Sequence, residues 1–224
     1  MTIGPMYLIS CPTCRTLFVR ETFGSYTIFS SSLWSDRYRD TDPPVPTTGD
    51  SFVHCPRCER WFSVADAPEL LEIPESLDPK HLPKIPAVPF LSASALQSAL
   101  SQRWNPAKET ELRTQLLWLQ NHHRRGDPDG VPMDAELMTN LERLSELVDA
   151  DQEPLFAAEI SRELGEFDRA LRLTRRVSTT TDDDDQKRVA TLIEERVIAR
   201  DVEPFEIEDR AANDQRRNAK LEEA

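Results

Sequence analysis

Cys11-Pro12-Thr13-Cys14-Arg15-Thr16-Leu17-Phe18 and Cys55-Pro56-Arg57-Cys58-Glu59-Arg60-Trp61-Phe62 follow one pattern, Cys-Pro-x-Cys-x-x-x-Phe, and together they hold every cysteine in the chain. A gap of two residues lets both sulfurs of a tight turn point at one ion. Two such turns supply four soft thiolate ligands, a set that suits a tetrahedral Zn²⁺. The matching phenylalanines, Phe18 and Phe62, predict that each turn caps a β-hairpin whose outgoing strand buries an aromatic ring. The expectation is one structural zinc ion with Cys11, Cys14, Cys55 and Cys58 as its ligands. Iron or an iron–sulfur cluster is the competing occupant of four cysteines. His54 adjoins Cys55 and is the one alternative ligand nearby; it reads as a strand residue turned away.

Paired Cys-x-x-Cys knuckles on separate hairpins resemble the zinc-ribbon family over roughly residues 6–64. The resemblance implies a small β-rich domain with metal at its end. Many knuckles of that family carry glycine after the second cysteine, whereas Arg15 and Glu59 stand there in this chain. The forty residues between the pairs exceed a minimal ribbon, and an elaborated hairpin containing Trp34 is expected to fill them.

Outward from the cysteines, composition divides the chain. Residues 1–66 favour strands, with short runs at Met6–Ile9, Tyr26–Phe29 and Ser51–His54 and an irregular loop over Asp40–Gly49. Residues 67–93 carry Pro68, Pro74, Pro79, Pro83, Pro86 and Pro89. Proline at this density prevents helix and predicts an extended linker lying along a surface. From 94 to 204 apolar residues recur at helical spacing. The predicted stripes are Leu112–Leu116–Leu119 with Trp118 beside them, Leu137–Leu141–Leu144–Val148, Phe156–Ile160–Leu164, Phe167–Leu171–Thr174–Val177 and Val189–Leu192–Ile193–Arg196–Val197, the last interrupted by one charge. Thr181 is read as the capping hydroxyl of the last of these helices, with Asp182 to Asp185 on its positive end. Arg172, Arg175 and Arg176 are placed in the last turn of the helix before it. His122-His123-Arg124-Arg125 reads as a solvated helix end, and residues 205–224 as a polar helical or disordered tail.

Within the helical half, Gly165, Phe167 and Ala170 occupy positions that resemble the turn of a tetratricopeptide repeat: a small residue, an opening aromatic and a close-packing alanine. One repeat does not bury its own face, so the resemblance implies a short solenoid completed by flanking helices. An ordinary αα-hairpin is the equal alternative. The predicted fold class is therefore α+β, a β-rich ribbon followed by an all-α domain. The joined architecture resembles bacterial proteins with an N-terminal ribbon before a helical tail.

Charge narrows the function. The net charge is −13, and residues 1–64 balance six basic against six acidic side chains. Neither half offers the basic surface that drives phosphate-backbone binding, so direct nucleic-acid binding is not expected. The chain also lacks a phosphate-binding glycine loop, Gly-x-Ser-x-Gly and a paired-histidine metalloprotease motif. No apolar run is long enough to span a membrane. Met1 to Leu17 has no basic start with a long apolar run, which predicts no cleaved leader, a cytoplasmic setting and reduced thiols. The expectation is a non-enzymatic adaptor with no catalytic residues, whose zinc is structural and whose helices present a groove to a protein partner. A nucleic-acid-associated ribbon in transcription or translation, and a thiol redox enzyme using one Cys-Pro-x-Cys pair, are the alternatives.

Overall fold

Strands come first and helices second along the chain, so the fold class is α+β. The computed structural model describes residues 2–3, 6–25, 30–42, 52–70, 81–85, 91–125 and 132–207. The run Tyr26–Phe29, most of the loop 43–50, the middle of the proline-rich stretch and residues 208–224 lie outside these. Two compact units emerge, and each interrupts the other in sequence: residues 1–30 with 41–103, and residues 31–40 with 104–224.

The first unit contains the cysteines. Strands β1 (Thr2–Ile3) and β4 (Phe23–Ser25) pair with each other. Strands β2 (Tyr7–Ser10) and β3 (Leu17–Arg20) form an antiparallel hairpin in which Ile9 stands opposite Phe18. A second hairpin joins β7 (Phe52–His54) to β8 (Trp61–Ser63), with Val53 opposite Phe62. Two short strands from the proline-rich stretch complete the first sheet. Strand β9 (Glu69–Leu70) pairs with β2, and β10 (Lys84–Ile85) runs parallel to β3. Pro68 and Pro83 lead into these edge strands, where a missing N–H costs nothing and the proline carbonyl still accepts. Ser10 donates to the Pro68 carbonyl at 3.1 Å and Val19 to that of Pro83 at 2.9 Å. Helix α1 (Ala93–Leu100) also belongs to this unit rather than to the helical one. The Trp61 backbone amide donates to Gln102, and its indole N–H donates to Ser98.

The second unit opens with a hairpin that composition assigns to the ribbon. Strands β5 (Ser30–Trp34) and β6 (Arg39–Asp42) lie side by side, and β11 (Glu206–Ile207) pairs with the far edge of β5. Ser31–Asp40, Trp34 included, therefore belongs with the helices. Residues 205–207 likewise depart from the expected polar tail: Phe205 and Ile207 are buried. The helices are α2 (Pro106–Asn121), α3 (Ala135–Leu147), α4 (Pro154–Glu163), α5 (Phe167–Thr180) and α6 (Asp184–Ile198). Helix α2 packs on α3, and α4, α5 and α6 pack together.

Local signals explain the helix ends. Asn105 and Asp134 accept hydrogen bonds from the amides of Lys108 and Leu137, satisfying donors that the first turn leaves free. The cap of α6 is Asp183, which accepts from Asp185 and Gln186, whereas Thr181 accepts from the amide of Asp183 itself. Helix α5 runs to Thr180, so Arg172, Arg175 and Arg176 stand before its last turn. Between α4 and α5 the chain reverses at Gly165, φ +75°. The Glu166 amide reaches the Ser161 carbonyl there, and the Gly165 amide that of Arg162, so the left-handed residue closes two otherwise free carbonyls.

Two apolar clusters hold this unit. Leu117, Leu137, Leu141, Leu144, Phe156 and Ile160 form one; Ala158, Ala170, Ile193, Val197, Phe205 and Ile207 form the other. In α2 the buried stripe is Leu112, Leu116 and Leu117, while Leu119 faces outward.

Beneath the hairpin lies a buried charged cluster. Asp36, Asn121, Arg124, Glu159, Arg162 and Glu163 are each no more than 2% exposed. Arg162 forks onto Glu159 at 2.6 and 2.9 Å, Arg124 meets Glu163 at 3.0 Å, and Arg125 pairs with Asp36. Asn121 donates to both Asp36 and Glu163. Each of the three buried guanidiniums thus has an acidic partner, without which its removal from water is strongly unfavourable. Arg124 and Arg162 also donate to the carbonyls of Val202 and Glu203, fastening the segment that leads into β11. His122 and His123 are exposed as expected of a helix end, but the two arginines after them are structural and interior.

Candidate metal centre

Each cysteine pair occupies the turn of one hairpin, and the two turns are built alike. In the first, the Arg15 amide donates to the Cys11 carbonyl at 2.9 Å and the Cys11 amide to Thr16 at 2.8 Å. In the second, Glu59 donates to Cys55 at 2.8 Å and Cys55 to Arg60 at 2.9 Å. Closing a turn this tightly requires a left-handed residue after the second cysteine. Arg15 adopts φ +62° and Glu59 φ +57°. The backbone therefore has the shape that glycine favours, although neither position is glycine.

The hairpins bring four sulfurs together, all within 4.8 Å of one another. Cys11 lies 3.8 Å from Cys58 and Cys14 lies 3.5 Å from Cys55, sulfur to sulfur. Tetrahedral bonds of about 2.3 Å to a zinc ion place sulfurs about 3.8 Å apart, so the spacing fits a single ion of that size. Cys11 and Cys55 are fully buried, Cys14 and Cys58 half-buried. Behind them pack Ile9, Phe18, Phe62, Val64 and Ile85. The Phe18 and Phe62 rings touch at 5.6 Å between centroids, joining the two hairpins directly under the sulfurs.

Electrostatics also call for a cation. The hydroxyl and amide of Thr16 pull the Cys14 thiol down to about 6, against the usual 9. Cys58 moves the other way, to about 12: the Arg60 amide favours its thiolate, but desolvation and the three neighbouring sulfurs outweigh it. Neighbouring thiolates repel one another, and a divalent ion between them would remove the conflict. The donor set fits zinc or another soft divalent ion, with each of the four tetrahedral positions filled by sulfur.

Among the described residues, no other group of histidine, cysteine and carboxylate side chains converges in this way. His54 is not a ligand; its exposed ring packs against Trp61 at 5.2 Å. Asp182 to Asp185 caps a helix. Thr16, whose Oγ1 lies 3.1 Å from the Cys14 sulfur, is the neighbour that spacing alone did not reveal. No described helix is long and apolar enough to cross a membrane. The chain matches no protein-family model, no curated protein and no solved structure.

Proposed function

We propose that Cys11, Cys14, Cys55 and Cys58 hold one structural zinc ion, and that the protein is a non-enzymatic adaptor whose helical unit engages a protein partner. The observation that carries the metal reading is the convergence of all four sulfurs within 4.8 Å. A catalytic zinc keeps one position open for water, whereas four thiolates leave none. When bound, the ion cross-links two hairpins and contributes folding free energy. The chain's own residues set the geometry: Arg15 and Glu59 turn the backbone, Thr16 steadies the Cys14 thiolate, and the Phe18–Phe62 contact holds the knuckles together.

Both cysteine pairs lie in turns between strands, and neither begins a helix, which removes the dipole that activates a redox pair. That supports a structural role over thiol exchange. The adaptor assignment rests on an acidic helical unit in which the clustered charges of Asp36, Glu159 and Glu163 are buried and paired with arginines. Metal analysis of the purified chain tests the first part: one zinc per chain is expected, and iron or no metal overturns it. Affinity capture with wild-type protein, compared with a Cys11→Ser/Cys55→Ser variant, tests the second. A specific protein retained by the wild type supports the adaptor role, whereas salt-sensitive nucleic-acid binding in a gel-shift assay replaces it.

A further inference from the structure

We infer that loading the four-cysteine site controls how firmly the hairpin Ser31–Asp40 is held in the helical unit. This rests on the metal reading above and extends it from local folding to regulation.

Chain order is the first observation. The hairpin belongs by its contacts to the helical unit, yet in sequence it lies between the two cysteine pairs, with Cys14 and Cys55 41 residues apart. Its principal partners stand on and just after α2: Trp118, Asn121 and Arg125. Between hairpin and α2 in the chain comes Thr41–Arg103, the larger segment of the cysteine unit. With that segment folded around its ion, a folded body links the hairpin to α2. Without the ion, the link becomes a flexible loop on the order of 60 residues, and the entropy of closing it opposes docking.

The second observation is how the hairpin is held. The Trp118 indole donates to the Asp36 carbonyl at 2.9 Å, and the Trp118 ring packs against Tyr38 at 5.9 Å. Asp36 takes Arg125 and Asn121, while Arg125 lies 4.1 Å over the Tyr38 ring. Arg37 pairs with Glu153 and sits 4.4 Å over Phe156. Ser35 and Phe205 exchange hydrogen bonds at 2.9 and 3.1 Å. These contacts are mainly polar and aromatic. Leu33 adds one apolar contact, to the cluster of Ala158, Ala170, Ile193, Val197, Phe205 and Ile207. The cluster of Leu117, Leu137, Leu141, Leu144 and Ile160 is built without the hairpin, so undocking leaves that core of α2, α3 and α4 packed. The metal-free chain therefore opens at the hairpin, uncovering Trp118, the end of α2 at Asn121 and the turn to Arg125 that follows it. By reciprocity, hairpin docking raises metal affinity by the same factor that metal favours docking.

Hydrogen exchange read by mass spectrometry tests this on the full chain, zinc-loaded and after chelation, with metal content measured in parallel. On zinc removal, amides of 31–40 and 205–207 should exchange about tenfold faster or more, while α3 to α5 change by less than about twofold. Arg37→Ala, an exposed tip residue, should weaken zinc affinity about threefold in competition with a colorimetric chelator. A chain that takes up no metal overturns both this inference and the metal reading. A chain that binds zinc yet keeps its hairpin protected after chelation overturns this inference alone. Unchanged zinc affinity in Arg37→Ala, with a faster-exchanging hairpin, does the same.

Discussion

Phe18 and Phe62 occupy the same place after two separate cysteine turns, and their rings meet at 57° with centroids 5.6 Å apart. The repeated sequence pattern thus becomes a physical contact that sets the separation of the two knuckles. Removing either ring leaves a cavity in a core of only a few residues. Phe→Ala at either position should cost about 3 kcal/mol. On the proposed structural-zinc reading, folding of this unit is coupled to metal, and the loss should appear as roughly 100-fold weaker zinc affinity in a chelator competition. A double-mutant cycle should return a coupling of about 1 kcal/mol for the ring pair.

Arg15 and Glu59 bear left-handed backbone angles that cost a side-chain-bearing residue about 1 kcal/mol each. Arg15→Gly and Glu59→Gly should therefore tighten metal binding by a few-fold despite enlarging the unfolded ensemble. Arg15→Val, with a branched β-carbon, should weaken it. Affinities measured on the three variants decide this, and weaker binding by both glycine variants would show that the turn angles carry no strain.

The buried Asp36–Arg125 pair predicts a large penalty for removing one partner only. Asp36→Ala takes from the Arg125 guanidinium and the Asn121 amide the carboxylate they share and should destabilise the helical unit by about 3–5 kcal/mol. The double replacement Asp36→Leu/Arg125→Met should recover much of that loss. Urea unfolding followed by circular dichroism measures both.

Glu163 makes the helical unit sensitive to alkali. Burial pushes its carboxyl up to about 8, assisted by Glu159 and Asp36 and opposed by Arg162 and Arg124. Asp36 is raised for the same first reason, burial. A carboxyl with a raised native pKa binds its proton more tightly when folded than when unfolded. Its contribution is therefore full below the ordinary carboxylate range and is lost as pH rises through about 8. Thermal unfolding should show the wild type losing stability relative to Glu163→Gln between pH 5 and pH 9. A constant difference across that range would mean that Glu163 stays ionised throughout.

The two cysteine turns, the aromatic behind each and the leucine stripe of α3 were legible in the sequence because each rests on spacing within a few residues. Two-residue cysteine gaps and a 3.6-residue period are local geometry, and local geometry survives any arrangement of the rest. What reached beyond that range was not legible. Arg124 and Arg125 read as a solvated helix end because their partners Glu163, Glu203 and Asp36 lie some 40 to 90 residues away, and only the folded chain supplies the carboxylates that make burial tolerable. Trp34 and its hairpin look like ribbon by composition, yet Asp36 finds its counter-charge on the far side of Arg103. The glycine-like shape of Arg15 and Glu59 is hidden by their identity and becomes visible only in the backbone angle. The sequence by itself determined the two matching cysteine turns and the buried face of α3; tertiary structure alone decided which charges are interior and to which unit residues 31–40 belong, because pairing of distant ions depends on the whole path of the chain.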